Sequence, residues 1–276
     1  MTKAQISWEE AVENCLDDPQ MSELSYNSYF GDPIDAAHRY WKSREFAELR
    51  TLLPSKRGKA IDFGAGNGIL SWALAKDGWD VTAVEPDPSD LVGSGAIRRL
   101  SLETDIKINV VDATGEKTPF ADESFDFAIA RQVLHHADNL QKFCEEVARV
   151  LRKNAPFISL RDHVISGPHQ LENFFDRHPL HNLYGGEYAY SLKEYRSCLT
   201  KAGFSIKNEW KSYQSILNYT PDTPRDIKEK IASKFGPLSP FAGLLLDLTP
   251  FSILAFAASV FDNRPGRLVS YKAIKI

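Results

Sequence analysis

From residue 59 onward, short apolar runs alternate with longer stretches that carry one apolar stripe. Residues 60–65 (AIDFGA) form an apolar run ending in glycine, which predicts a strand. Residues 69–75 follow as a helix, with Gly78 in the C-cap position. Residues 80–86 (DVTAVEP) predict a second strand, stopped by Pro86. A helix is expected over 91–102, a third strand over 106–113 and a fourth over 125–130. Asp138 is placed to cap a helix whose stripe is Leu140, Phe143, Val147, Val150 and Leu151. Residues 157–160 give a fifth strand, and 192–202 a helix closed by Gly203. Residues 204–210 give a sixth strand, and the alternating LVSYKAIKI a final one. Such alternation implies crossover connections, hence an α/β fold with a doubly wound, mostly parallel sheet. Ligands of such sheets sit beyond the carboxyl ends of the strands.

Two regions fall outside this rhythm. Residues 1–54 read as helical, with Tyr40, Trp41, Phe46, Leu49, Leu52 and Leu53 among charged neighbours, and Pro54, Ser55 and Gly58 break the chain after them. They are expected to form a helical cap on a ligand-binding domain spanning 55–276. Residues 223–262 make a helical insertion before the last strand, a candidate lid or wall over the site. Their apolar part, 235–261, is interrupted by Pro237, Pro240, Asp247 and Pro250, so it falls short of the roughly 20 apolar residues of a membrane span. Buried helices are the expectation there; a surface meeting lipid or an apolar substrate is the alternative.

Composition narrows the partners. The chain has 276 residues, 25% charged and 43% apolar, an ordinary globular balance. Its net charge of −4 disfavours a phosphate-tracking nucleic-acid binder. Cys15, Cys144 and Cys198 are odd in number and widely spaced, which suits a reducing cytosol and no disulfide framework. The polar start MTKAQISWEEAVENC does not read as a signal peptide, so a cytoplasmic location is expected.

The chemistry concentrates at Asp62-Phe63-Gly64-Ala65-Gly66-Asn67-Gly68, between a strand and a helix. Such glycines let a ligand approach the backbone, and the helix start favours an anion. A dinucleotide fingerprint would need glycine at position 69, which is Ile. A carboxylate at Asp62 repels a pyrophosphate but suits a ligand with an ammonium beside its carboxylate, as in the tail of S-adenosylmethionine (SAM). Glu85, with Pro86 and Asp87 at the end of the second strand, is placed to accept both hydroxyls of a ribose. Asp112, with Ala113 at the end of the third, can accept from the exocyclic amine of adenine. The three strand ends therefore supply tail, ribose and base binders in chain order.

These residues, together with TPFADESFDFAIARQVLHHADNLQKFCEEVARVLR, resemble the class I SAM-dependent methyltransferases, in the branch that includes the ubiquinone-pathway enzymes. The likeness covers roughly 59–160. It implies a seven-stranded Rossmann-like sheet whose final strand is antiparallel, with SAM as cofactor and S-adenosylhomocysteine as product. By position it implies that Gly64, Ala65 and Gly66 line the methionine tail. Glu85 and Pro86 would lie at the ribose, Asp112 and Ala113 at the adenine, and Ala130 and Arg131 near the sulfonium. Lys153-Asn154-Ala155-Pro156 departs from the relatives, which often carry proline and glycines there.

SAM brings its own leaving group, so the transfer itself calls for no metal, and none is expected. An oxygen acceptor also needs a proton removed, which His can do near neutral pH. His135 and His136 follow the fourth strand. Arg161-Asp162-His163 follows the fifth, and Asp162 and His163 could pair as orienter and base. The segment FFDRHPLHNLYGGEYAY packs histidines, tyrosines and Glu187 into a stretch suited to a small-molecule pocket. The candidate catalytic residues are His178, His181 and His136; the candidate acceptor contacts are Tyr29, Tyr184, Glu187 and Tyr190. His178 and His181 do not form a zinc site by spacing. The reading is methyl transfer to a small or lipid-like acceptor, preferably at oxygen. The alternatives are a catalytically silent SAM-binding module and, less favoured, a nicotinamide oxidoreductase.

Overall fold

The structure, a computed structural model, describes residues 6–276. Four helices come first: α1 (Trp8–Asp17), α2 (Ser22–Asn27), α3 (Pro33–Trp41) and α4 (Arg44–Leu52). Ser7 and Glu10 form a reciprocal capping box on α1; the Asp32 and Ser43 side chains cap α3 and α4. The cap at Ser43 is why 36–53 is two helices and not one.

The sheet then builds through β1 (Lys59–Phe63), α5 (Ile69–Lys76), β2 (Asp80–Val84), α6 (Ser94–Thr104), β3 (Asn109–Val111), β4 (Phe127–Arg131), α7 (Leu140–Val150) and β5 (Pro156–Ile165). The cap of α7 is Asn139, one residue beyond the expected Asp138, with its side chain accepting from the Lys142 N–H. Next come α8 (Leu171–Arg177), α9 (Pro179–Tyr184), the two-residue β6 (Tyr190–Ser191), α10 (Leu192–Lys201), β7 (Phe204–Lys211) and α11 (Ile216–Tyr219). The chain closes through α12 (Pro224–Ser233), α13 (Ser239–Leu248), α14 (Phe251–Phe261) and β8 (Arg267–Lys275).

Strand order is β3-β2-β1-β4-β5-β8-β7, with β6 beside the end of β5. Pairs from β3 to β5 are parallel, and β8 runs antiparallel between β5 and β7. The seven main strands are those the pattern predicts; β6 is additional. Order reverses between β1 and β4, the switch point at which a ligand crevice opens.

Each face of the sheet is covered. Ile158 and Leu160 of β5 pack with α3, α4 and α5 on one side; Phe157 packs with α7 and α10 on the other. Past Leu160 this parity inverts, because β5 and β8 change register between Ser159 and Asp162 and Arg161 has φ +61°. Val164, an even-numbered residue, therefore shares the face of Phe157, and Asp162 is turned onto the face of Ser159.

The apolar insertion departs from expectation. No residue of α13 is buried, and only Ala255 and Ser259 of α14 are. Leu248 is 77% exposed and Phe261 84%. Both helices are apolar around most of their circumference, yet they meet at 117° and dock by one edge. Phe251 lies against Tyr219, and the Ser259 hydroxyl accepts from the Tyr213 N–H. Among the described residues no single helix is long and apolar enough to cross a membrane. None of the insertion lines the crevice described below, so it is not a lid on that site.

Candidate functional site

At the end of β1 the chain turns through Gly64 and Gly66, both at positive φ, into α5. A side chain at Gly64 would begin 2.6 Å from a methyl of Val133, which leaves room only for hydrogen. The N–H groups of Gly64 and Ala65 donate to the Val84 carbonyl, fixing the loop to the end of β2. Glu85, one residue on, accepts from the Gly66 N–H at 2.7 Å and the Asp87 N–H at 3.0 Å. Burial pushes its carboxyl up, and these two donors oppose that.

Asp62 is 1% exposed and accepts from the Ser71 hydroxyl at 2.7 Å. Burial dominates and pushes it up to about 7; the Ser71 bond opposes, and the Glu85 charge adds to the rise. These residues border a cavity of about 430 Å³, within the range of small-molecule sites.

Nine predicted residues line that cavity: Asp62, Gly64, Ala65, Gly66, Glu85, Pro86, Arg131, His136 and Tyr184. Asp112 and Ala113 do not. Asp112 is drawn outward to Arg98 at 2.7 Å, and the next turn, Thr114 to Glu116, lines the cavity in their place. Ala130 is buried behind the wall, and Tyr29 turns its ring onto Tyr40 while its carbonyl accepts from Asn67. Tyr190 donates to the Ala137 carbonyl and does not reach the lining.

Phe30, beside the Gly31-Asp32-Pro33 turn of the N-terminal cap, reaches the lining as a residue of a lid would, whereas Trp8 and the buried Glu45 escaped the sequence reading. Trp8 of α1 and Phe30 of the turn between α2 and α3 form a roof with rings 5.6 Å apart, and Trp8 meets Tyr184 at 4.7 Å. The single polar face of α1 gave no sign of this. Arg131 is held by the buried Glu45 at 2.7 Å, an ion pair whose partners are 86 residues apart, beyond any local pattern. Glu45 holds the guanidinium charged against its burial.

Behind His136 lies a buried histidine–carboxylate cluster. His135 Nδ1 is 3.0 Å from Asp162, so the pairing of Asp162 with His163 is corrected. The inversion at Arg161 puts Asp162 under His135, while His163 Nδ1 donates to the Gly266 carbonyl at 3.0 Å. Burial disfavours charge on His135, but Asp162 and Glu187 outweigh it and push the ring up to about 9. Desolvation of its inner edge and the charge on His135 push His136 down, while 36% of its side chain stays exposed. Burial raises the Glu187 carboxyl, but His135, His136 and His178 together hold it far below its ordinary range. His178 accepts from the His181 N–H at 3.4 Å, and His181 stacks on Phe175 at 4.2 Å. Neither His178 nor His181 lines the cavity.

Comparison with known proteins bears on the family and the fold. Residues 61–159 match the family described as "Methyltransferase domain". That segment belongs to this family and carries the glycine loop, Glu85 and the His135–His136 pair. Among curated relatives, the ubiquinone biosynthesis O-methyltransferase of Azorhizobium caulinodans is 28% identical over 111 residues, 40% of this chain and 43% of that one. An uncharacterized methyltransferase of Mycobacterium tuberculosis is 33% identical over 123 residues, 45% of this chain and 47% of its own length. The chain thus spans under half the length of these relatives. Among solved structures, a geranyl diphosphate methyltransferase in complex with SAM superposes with TM-score 0.60 at 16% identity, covering 96% of this chain and 95% of that one. The [4+2]-cyclase SpnF shares the fold at TM-score 0.56 and 16% identity, covering 87% and 80%. These likenesses establish a Rossmann-like methyltransferase fold.

Proposed function

We propose that the protein is a SAM-dependent methyltransferase acting on a small or lipid-like acceptor, preferably at oxygen. One observation carries the reading: Glu85 closes the glycine loop by accepting from Gly66, with Asp62 buried beside it on the same cavity. A second carboxylate at the loop suits an ammonium and a ribose and opposes a diphosphate. Ile69, buried at the start of α5, stands where the dinucleotide fingerprint needs glycine, which argues against a nicotinamide cofactor.

In this reading Gly64, Ala65, Gly66 and Asp62 hold the methionine tail, Glu85 and Pro86 the ribose, and Thr114 to Glu116, next to Asp112 and Ala113, the adenine. Arg131 lies toward the sulfonium. The acceptor enters beneath Trp8, Phe30 and Tyr184. His136 is the proposed base: its Nδ1 donates to the Gly186 carbonyl at 3.1 Å, so Nε2 carries the free lone pair. His178, His181, Tyr29 and Tyr190 act as positioning residues at one remove, while Tyr184 donates to Glu187 at 3.4 Å. Aligning acceptor and methyl group supplies up to about 7–11 kcal/mol of the barrier. The ubiquinone-pathway relatives support an oxygen acceptor, and the exposed apolar faces of α13 and α14 support a lipid-like one or contact with a lipid surface. The unpaired Cys15, Cys144 and Cys198 suit a cytosolic location.

The test is release of S-adenosylhomocysteine with a panel of hydroxylated metabolites and prenylated phenols. Acceptor-dependent release supports the reading. Tight SAM binding with no release across the panel favours the silent module.

A further inference from the structure

The cluster behind the cavity is built in a way that proton sharing alone does not explain. Glu187 is 5% exposed, and its Oε2 has no hydrogen-bond partner. Three ring nitrogens stand near that oxygen: His135 Nε2 at 3.4 Å, His136 Nε2 at 3.8 Å and His178 Nε2 at 3.9 Å. These distances exceed the ~2.7–3.2 Å of a good N–H···O bond. They are nearer the ~3.3 Å that separates two ligands of one ion bound at about 2.0–2.2 Å.

The ring tautomers sort the histidines. A carbonyl can only accept, so His163 Nδ1, against the Gly266 carbonyl, bears the hydrogen and its Nε2 has the lone pair. The Asp162 carboxylate takes the Nδ1 hydrogen of His135 in the same way. Each therefore has the outer-shell partner that a metal-bound imidazole has in known sites; Nε2 of His163 is free to bind, and His135, which holds its second proton in the metal-free protein, would release it from Nε2 as the ion binds. His178 is the reverse: its Nδ1 accepts from the His181 N–H, so its Nε2 bears the hydrogen and faces Glu187 as a donor. The ligand atoms of His135, His163 and Glu187 lie within 4.8 Å of one another. Every ion pair that Asp162 or Glu187 makes among the described residues is with a histidine, so two buried carboxylates stand without a fixed cation.

We propose that His135, His163 and Glu187 form a binding site for one divalent first-row transition-metal ion, such as Zn²⁺ or Fe²⁺. Two imidazoles and one carboxylate suit such an ion and leave it coordination positions for water or a ligand. Asp162 and the Gly266 carbonyl would orient the imidazoles, and the His178 Nε2–H would orient Glu187. His136 and Tyr184 stand between this site and the cavity. That position would let the ion grip an oxygen of the acceptor; this last step rests on the methyltransferase reading, whereas the metal site itself does not.

The full-length protein is stripped with a chelator and titrated with Co²⁺ while visible absorption is recorded. One equivalent with ligand-field bands of low coordination number is expected. The bands should vanish in His163→Gln and Glu187→Gln, and Asp162→Asn should bind roughly 10–100-fold more weakly. No bound equivalent in the wild-type protein, or unchanged bands in those variants, overturns the proposal. Should the variants fail to fold, X-ray absorption of the wild-type cobalt protein decides: two imidazoles with a carboxylate support it, and an oxygen-only shell overturns it. A parallel titration with S-adenosylhomocysteine separates the two readings. Binding of the nucleoside without cobalt refutes the metal site alone, and binding of cobalt without the nucleoside refutes the cofactor assignment alone.

Discussion

The Asp162 carboxylate lies 3.0 Å from Nδ1 of His135, 27 residues away, and not against His163, its neighbour in the chain. Both partners are essentially buried, at 0% and 1% exposure. Removing one member of such a pair leaves the other without compensation, so Asp162→Ala should cost about 3–5 kcal/mol of stability. Urea unfolding followed by circular dichroism measures this. A variant as stable as the parent would mean that the pair is not formed.

Asp62 sets a pH dependence. Its carboxyl stands at about 7 in the folded, ligand-free protein, against roughly 4 in an unfolded chain. Folding thus favours the protonated form, and this group's contribution to stability declines as pH rises between those two values. An ammonium ligand needs the ionised form. SAM affinity should therefore increase from about pH 5.5 to about 7.5, near the upper of those values. Asp62→Asn should bind more weakly and with a flat profile, as read by calorimetry across that range.

Glu85→Ala removes the acceptor for Gly66 and Asp87 together with the proposed ribose contact. SAM affinity should fall by about 1–3 kcal/mol, with a smaller loss of thermal stability from the two freed N–H groups. Equal SAM binding in variant and parent would remove Glu85 from the cofactor site.

Gly64→Ala should destabilise by about 1–3 kcal/mol through its collision with Val133, with a further ~1–2 kcal/mol from the left-handed backbone. Combining it with Val133→Ala should recover part of the first loss. Strict additivity of the two variants in thermal melts would contradict the close approach.

Leu248→Glu and Phe261→Lys test the exposure of the insertion. At 77% and 84% exposure, each should change stability by no more than about 0.5 kcal/mol. Losses of several kcal/mol would restore the buried-helix expectation.

The sequence carried the sheet and the glycine loop because both are local. Strand ends, turn glycines and a carboxylate after each strand lie within a few residues of one another. It misassigned Asp162 because one left-handed residue, Arg161, inverts the side-chain alternation of β5, and an alternation rule has no term for a bulge. It missed Trp8 and Glu45 because their partners are far along the chain. The insertion misled for another reason: apolar composition marks a helix that avoids water, but not what covers it. Residues 112–113 and 114–116 differ only in which turn faces inward, which is settled by Arg98 pulling Asp112 away.

The most direct test is calorimetric titration of the intact protein with S-adenosylhomocysteine, SAM and NAD. The account predicts one site for each of the first two, weakened by Glu85→Ala, and no heat from NAD. Saturable NAD binding with none for the sulfonium compound or its product would contradict it.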